Sequence, residues 1–411
     1  MSPSSISQKQ VYASELELLL CCARTQVDSA LSKQIDVLLK KNLDWTFLAQ
    51  FSALHGIVPL FNQNLQLSST TIVPKEVLGY FKSYSYQTAI QNTIFAKELF
   101  KILNLFKQHS ISALTFKGPA LATSAYGNLG LRQFCDLDIL VNAQDFLTSF
   151  DLLVTHGYQP TYQWNFLNQE FETSLRQSKS EYSLKNGNIC IDLHQNLTVE
   201  RFLSSSFTFD HLWSHRQSVA ICGQKVEGFG NEDLLLYLCI HGSKDCWRRL
   251  KWICDVSEFI GSHPELCWEN IFQRAEHMGC SRMLLLGLIL TQSTLGTRYP
   301  AIVEQKIDRG TVSQKLAHEF SDRLFLPHNS LGRKFTAEKF FLHLQMTETP
   351  QDKLACYLDL FRPIYAKVIL KLVPTIQDQE FITLPRSLFF LYYFIRPIRL
   401  IQRRLYRSSN T

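Results

Sequence analysis

Residues 111–141 read ISALTFKGPALATSAYGNLGLRQFCDLDILV. An apolar run from Ile111 to Phe116 ends in Lys117-Gly118-Pro119. A small-residue segment, Ala120 to Ala125, is followed by a turn-rich patch from Tyr126 to Gly130. The stretch closes on Asp136-Leu137-Asp138 and then Ile139, Leu140 and Val141. This pattern predicts strand, tight turn, helix, second strand. Gly118 frees the backbone at the turn, and Pro119 suits the first helical position. In the second strand Asp136 and Asp138 share a face, because strand side chains alternate with period 2; Leu137 and Ile139 then point into the core. Two carboxylates held this close are costly without a positive charge between them. A hard divalent cation is the usual answer.

A third carboxylate joins them further on. Residues 181–197, EYSLKNGNICIDLHQNL, predict a hairpin turning at Asn186-Gly187. In its second strand Ile189, Ile191 and Leu193 face one way, while Cys190, Asp192 and His194 face the other. Asp192 is then positioned to complete a set of strand-borne carboxylates. The bland alternative is a turn plus a strand with a wet face. The Lys-Gly turn and a third in-phase acid argue against it.

The flanks are helical. Residues 9–62 carry apolar positions at helical spacing, and His55 before Gly56 reads as a core or capping histidine. A break at 68–79 precedes a helix reaching about Ser110, whose Phe and Tyr stripe reads as core packing. Residues 144–156 form an amphipathic helix stopped by Gly157. From Asn231, read as a cap, the pattern is helical again, with Gly242 interrupting it. His241 and Lys244 share a face if that helix continues. Asp255 lies on a largely apolar stretch and needs a partner, with Arg248, Arg249 and Lys251 the near choices.

With 411 residues, 45% of them hydrophobic, the chain can bury a sizeable core. No segment reaches the ~18 apolar residues of a membrane-spanning helix, and the start resembles no secretory leader. The 11 cysteines contain no C-x-x-C pair and read as free buried thiols of a cytoplasmic protein. From residue 331 onward there are thirteen Lys or Arg against six Asp or Glu, more than the whole net charge of +6. The basicity therefore belongs to the tail, which excludes a chain-wide nucleic-acid surface. The segment RSLFFLYYFIRPIRLIQRRLYR holds six arginines and, from residue 386 on, no acid. Three readings stand for it: an interfacial helix on anionic lipid, a dock for RNA phosphates, or a helix packed on the protein with its arginines solvated.

Residues 114–141 resemble the core motif of the DNA polymerase beta-like nucleotidyltransferase superfamily: a Gly turn, a helix, a D-x-D strand and a later third Asp. More closely, they resemble a bacterial family of uncharacterised nucleotidyltransferases. Its pattern is an apolar strand, Lys-Gly, an Ala-rich helix, Tyr, then R-x-x-x-D-x-D. ALHGIVPLF, IDLHQNL, LYLCIHGSKDCWRRLKWICDV and LPRSLFFLYYFIRPIRL extend the likeness over most of the chain. One departure is that Pro119-Ala120 replaces the small polar residue usual after the glycine. The turn-to-DxD spacing is also longer than in the broad superfamily.

The resemblance implies an α+β fold, a small mixed sheet flanked by N- and C-terminal helical regions. Expected units are 1–95 (helical), 96–228 (the core), 229–330 (helices closing the cleft) and 331–411 (the basic helical end). It implies transfer of a nucleoside monophosphate from an NTP, ATP first, to an unidentified acceptor hydroxyl, with Mg²⁺ (Mn²⁺ as alternative) and loss of pyrophosphate. Asp136, Asp138 and Asp192 would be the catalytic and metal-binding carboxylates. Lys117, Gly118, Arg132, His241 and Lys244 would hold the triphosphate. The location implied is cytoplasmic, with the tail reaching the inner membrane face as an option. The rival class is a non-catalytic module built on the same fold.

Overall fold

The computed structural model describes residues 11–67, 72–161, 180–197, 207–325, 333–358 and 373–408; part of the break expected at 68–79, residues 68–71, lies outside them. Among the described residues, five helices precede the first strand: α1 (Ala13–Cys22), α2 (Ser29–Leu39), α3 (Trp45–His55), α4 (Val58–Leu67) and α5 (Lys75–Gln108). Asp28 and Asp44 cap α2 and α3 by accepting from the Leu31 and Phe47 N–H groups. Gly56 ends α3 at φ +69°, a left-handed conformation that favours glycine. On α5 the phenylalanines Phe81, Phe95 and Phe106 are buried, as the stripe predicts, but Tyr80 and Tyr86 are exposed.

The chain then builds β1 (Ala113–Thr115), α6 (Gly118–Tyr126), β2 (Asp136–Val141), α7 (Phe146–Thr155), β3 (Gln159–Pro160), β4 (Glu181–Asn186), β5 (Ile189–His194), α8 (Phe209–Ser214), β6 (Gln217–Ile221) and β7 (Gln224–Gly228). The strands form one mixed sheet in the order β3-β4-β5-β2-β1-β7-β6. β2 runs antiparallel to β1 and parallel to β5, so the two carboxylate-bearing strands are neighbours. The β4–β5 hairpin turns one residue later than expected. Asn186 pairs with Ile189, which leaves Gly187 (φ +56°) and Asn188 as the loop. The alternation survives, because the register of the strand is unaffected.

Between residues 231 and 324 lie α9 (Asn231–Lys244), α10 (Leu250–Ser262), α11 (Trp268–His277), α12 (Ser281–Leu295), α13 (Ala301–Arg309) and α14 (Thr311–Leu324), and more helices follow. Gly230, not Asn231, occupies the cap of α9. Gly242 does not interrupt that helix. A Cβ there would lie 2.6 Å from the Trp247 ring, so glycine is what lets the indole pack across α9. The tight turn after α9 holds Cys246 and Trp247 at positive φ.

Two apolar cores result. Leu137, Ile139 and Val141 of β2, with Ile191 and Leu193 of β5, pack against Phe95, Phe106 and α7. The opposite face of β2 looks toward the larger core, where Leu140 meets Phe116, the N-terminal helices and α9 to α14. The N-terminal helices and the helices after residue 229 thus share one core. α5 contributes to both cores and runs unbroken across residues 95 and 96.

Candidate active site

The strand–turn–helix at residues 113–126 places Lys117 and Gly118 against the start of β2. Gly118 sits at φ +50°, and a Cβ there would approach the Asp136 carbonyl oxygen to 3.3 Å. The backbone angle therefore favours glycine, and the space beside the Asp136 carbonyl is tight for any side chain. Pro119 occupies the first turn of α6, as expected.

β2 and β5 pair so that Asp138 lies beside Asp192, and Leu140 beside His194. Antiparallel pairing with β4 sets Ser183 beside Asp192, and its hydroxyl donates to Asp192 Oδ1 at 2.5 Å. Asp138 is buried and accepts from Lys117 Nζ at 3.4 Å; His194 Nε2 lies 3.4 Å from the same oxygen. The other His194 nitrogen is 3.4 Å from Glu181, so this histidine bridges two acids.

Burial favours protonation of Asp138, but the Lys117 ammonium and the His194 imidazole beside it override that and hold its carboxyl below the ordinary range. The same pairing works on Lys117. Burial opposes its charge, and Asp138, then Tyr237 and Asp136, hold it charged beyond the usual lysine value. Asp136 and Asp192 shift the other way. Burial first, then the Asp138 charge, pushes Asp136 up; burial, against the Ser183 bond and with Asp138, pushes Asp192 up.

α9 closes the other side. Tyr237 and His241, one turn apart, stack with ring centroids 6.1 Å apart. Lys117 lies 5.2 Å from the Tyr237 ring centroid, and Phe116 packs edge-on against the same tyrosine. His241 sits in the fields of Lys117, Asp138 and Lys244. Burial, then Lys117, pushes its pKa well below the ordinary histidine value, so it is neutral at pH 7. Lys244 is half-buried near the end of the same helix.

Lys251, at the start of α10, was expected only as a partner for Asp255. Its stem passes the Cα of Gly56, where a Cβ would meet Lys251 Cδ at 2.8 Å. Burial, then Arg132, lowers its pKa, while Asp255, Cys135 and Asp136 act against them. It is a second lysine facing the Asp136 end of β2. Tyr237, Ser183 and Lys251 were not legible as site residues; the four-residue step from Tyr237 to His241 was the available signal for the tyrosine.

Arg132 is placed otherwise than expected. Its Nε and Nη2 donate to Asp255 at 2.7 and 2.9 Å, and the Tyr126 hydroxyl donates to the same carboxylate at 2.7 Å. Both ends of the pair are buried. Arg132 therefore joins the core to α10, and two guanidinium nitrogens are committed there. Asp255 correspondingly takes neither Arg248, Arg249 nor Lys251: α10 packs on α6, which turns the carboxylate toward Tyr126 and Arg132. Asn92 of α5 fixes the loop carrying Arg132 by donating to the Leu129 and Arg132 carbonyls at 2.6 and 2.8 Å.

The three aspartates supply hard oxygen donors on adjacent strands, and the raised pKa values of Asp136 and Asp192 register a shortage of positive charge. That donor set suits a divalent cation. Among the described residues, the group whose potential ligand atoms already converge within 4.8 Å lies elsewhere, at His211, His215 and Asp233. There Arg274 bonds both Asp233 and His211 and takes the cation's place.

The family model of the uncharacterised nucleotidyltransferases matches residues 41–296. The chain belongs to this family. The match spans every residue of the site, from Gly56 to Lys251, and stops short of the basic tail. No curated protein matches the chain. Among solved structures, the lincosamide antibiotic adenylyltransferase LnuA, with lincomycin bound, is 20% identical over 34% of this chain and 83% of its own, at TM-score 0.25. The antibiotic-resistance factor ANT(2'')-Ia is 12% identical over 46% of this chain and 91% of its own, at TM-score 0.32.

Proposed function

We propose that this protein transfers a nucleoside monophosphate from an NTP, ATP first, to an acceptor hydroxyl, with release of pyrophosphate. The observation that carries this reading is the in-register pair Asp138 and Asp192, with Asp136 on the same face and Lys117 at its edge. A divalent cation, Mg²⁺ first and Mn²⁺ second, held by Asp136, Asp138 and Asp192, would neutralise phosphate charge and acidify the acceptor hydroxyl.

The protein's own groups divide the remaining work. Lys117 and Lys251 meet triphosphate oxygens, joined by Lys244 and the Gly118 N–H at the start of α6. Neutral His241 donates a hydrogen bond without adding charge. Gly118 lets the chain come close to the phosphates. The acceptor oxygen bonds to the α-phosphorus as the bond from that phosphorus to the bridging oxygen breaks, and pyrophosphate carries the electron pair away. Asp192, whose raised pKa suits a base, takes the hydroxyl proton. Arg132 contributes by positioning, through Asp255. A module without catalysis gains nothing from three acids on one face, since they repel one another.

Incubation with each labelled NTP and a cell extract tests the reading. Label is expected to enter one acceptor class with wild-type protein and to stay in NTP with Asp136→Asn. If no NTP, with Mg²⁺ or Mn²⁺, either labels an acceptor or raises the melting temperature, the reading fails.

A further inference from the structure

The C-terminal end carries a surface that nucleotidyl transfer does not use. The helix Ile376–Phe381 opens with a reciprocal cap: Thr375 N–H donates to Asp378 Oδ2 at 2.7 Å, and its hydroxyl does so at 2.9 Å. Asp378 is fully buried and also accepts from Arg396 Nη1 at 2.9 Å and Arg399 Nε at 2.5 Å. Tyr392, equally buried, donates to the Ile382 carbonyl and accepts from Leu384 N–H, both at 2.9 Å. These bonds pin one face of the helix Tyr392–Ser408 to the preceding segment.

Among the described residues, nothing covers the opposite face. Phe394, Ile398 and Ile401 recur at helical spacing and are 69%, 56% and 61% exposed. Phe390, at 58%, extends the stripe into the preceding turn. Large apolar side chains aligned this way, and held up by a buried ion-pair cluster behind them, mark a surface that something covers.

Charge selects the cover. Residues 386–411 contain six arginines and no acid, and Asp378 can balance only one of the two arginines it binds. A second copy docked on the same face would bring like charges together with no acid in the segment to meet them. An RNA backbone would take the arginines but not the Phe394–Ile401 stripe. An anionic bilayer surface takes both, and among the described residues no helix is long and apolar enough to cross a membrane instead. We propose that the helix Tyr392–Ser408 lies in the plane of an anionic phospholipid surface, with Phe394, Ile398 and Ile401 at the headgroup–acyl boundary.

The test is co-sedimentation of the full chain with vesicles of phosphatidylcholine alone or mixed with phosphatidylglycerol, beside the triple variant Phe394→Ser, Ile398→Ser, Ile401→Ser. All three side chains are exposed, so the variant should keep the wild-type melting temperature, which is measured alongside. Wild type is expected to sediment with the anionic vesicles only, less so at high salt, and the variant to partition on the order of a hundredfold less. Wild type remaining in the supernatant overturns the proposal. So does a variant that partitions like wild type. Retention on single-stranded RNA that the variant keeps, without vesicle binding, assigns the tail to nucleic acid. A dimer that the variant dissociates, again without vesicle binding, assigns the stripe to a second copy. None of these outcomes bears on NTP-dependent labelling, so the two readings stand or fall separately.

Discussion

Asp138 and Asp192 are register partners on parallel neighbouring strands, and their carboxylates leave the sheet side by side. Only Asp138 is relieved by a cation; Asp192 is left with a raised pKa. Asp192→Asn is therefore expected to stabilise the cation-free protein by about 0.5–2 kcal/mol. The same substitution should lower label transfer on the order of a thousandfold. Thermal melts without divalent cation and single-turnover transfer assays check the two halves. A variant that loses both stability and activity would mean the aspartate is held for the fold alone.

Lys117 and Asp138 form a buried pair, and removing one partner leaves the other unpaired. Lys117→Met should cost about 3–5 kcal/mol of stability without divalent cation. Millimolar Mg²⁺ or Mn²⁺ should restore part of the loss, because the freed carboxylate gains a counterion. Denaturant melts with and without each cation measure it. Calcium-free chelated buffer is the reference.

How the helices meet the sheet was the least legible part of the sequence. Period-2 alternation placed Asp136, Asp138 and Asp192 correctly, because strand faces are a local property. The ion pair of Arg132 was not legible, because its partner Asp255 lies 123 residues away and four-residue spacing from Asp136 says nothing about it. Gly242 looked like a helix break for the same reason. Only the folded chain shows the Trp247 ring that needs the space. Lys251 was read only as a partner for Asp255, because its place beside Gly56 depends on where α10 meets the end of α3.

The pair Arg132 and Asp255 should behave as a buried unit. Asp255→Leu alone is expected to cost about 3–5 kcal/mol, and Arg132→Met with Asp255→Leu much less. Urea midpoints of the two single variants and the double variant form the cycle. Additive losses would mean that the groups do not act on each other.

Gly242→Ala should destabilise the chain by about 1–3 kcal/mol, because the new methyl meets the indole of Trp247 and the ring must shift. A thermal melt gives the loss. A paired Gly242→Ala, Trp247→Leu variant, which removes the clash, should show a smaller additional effect of the alanine.

His241 gives a pH signature. Its folded pKa lies well below the ordinary value, so only the unfolded chain takes up this proton as pH falls through about 6.5. Its contribution to stability is complete above that pH and is lost as pH falls toward the folded pKa. The midpoint of thermal unfolding should drop across this window, and His241→Asn should flatten the drop. An unchanged slope in the variant would place the proton uptake elsewhere.

The 34-residue helix α5 is roughly 50 Å long, and its two halves serve two different cores. Midway along it, Asn92 grips the loop that leads into the aspartate strand. This has a practical consequence for anyone dividing the gene. A cut at residue 95 would saw through a beam, exposing Phe81 on one fragment and Phe95 on the other. Neither piece would keep its half of the packing, so the smallest unit worth expressing begins ahead of α5 and carries the N-terminal helices with it.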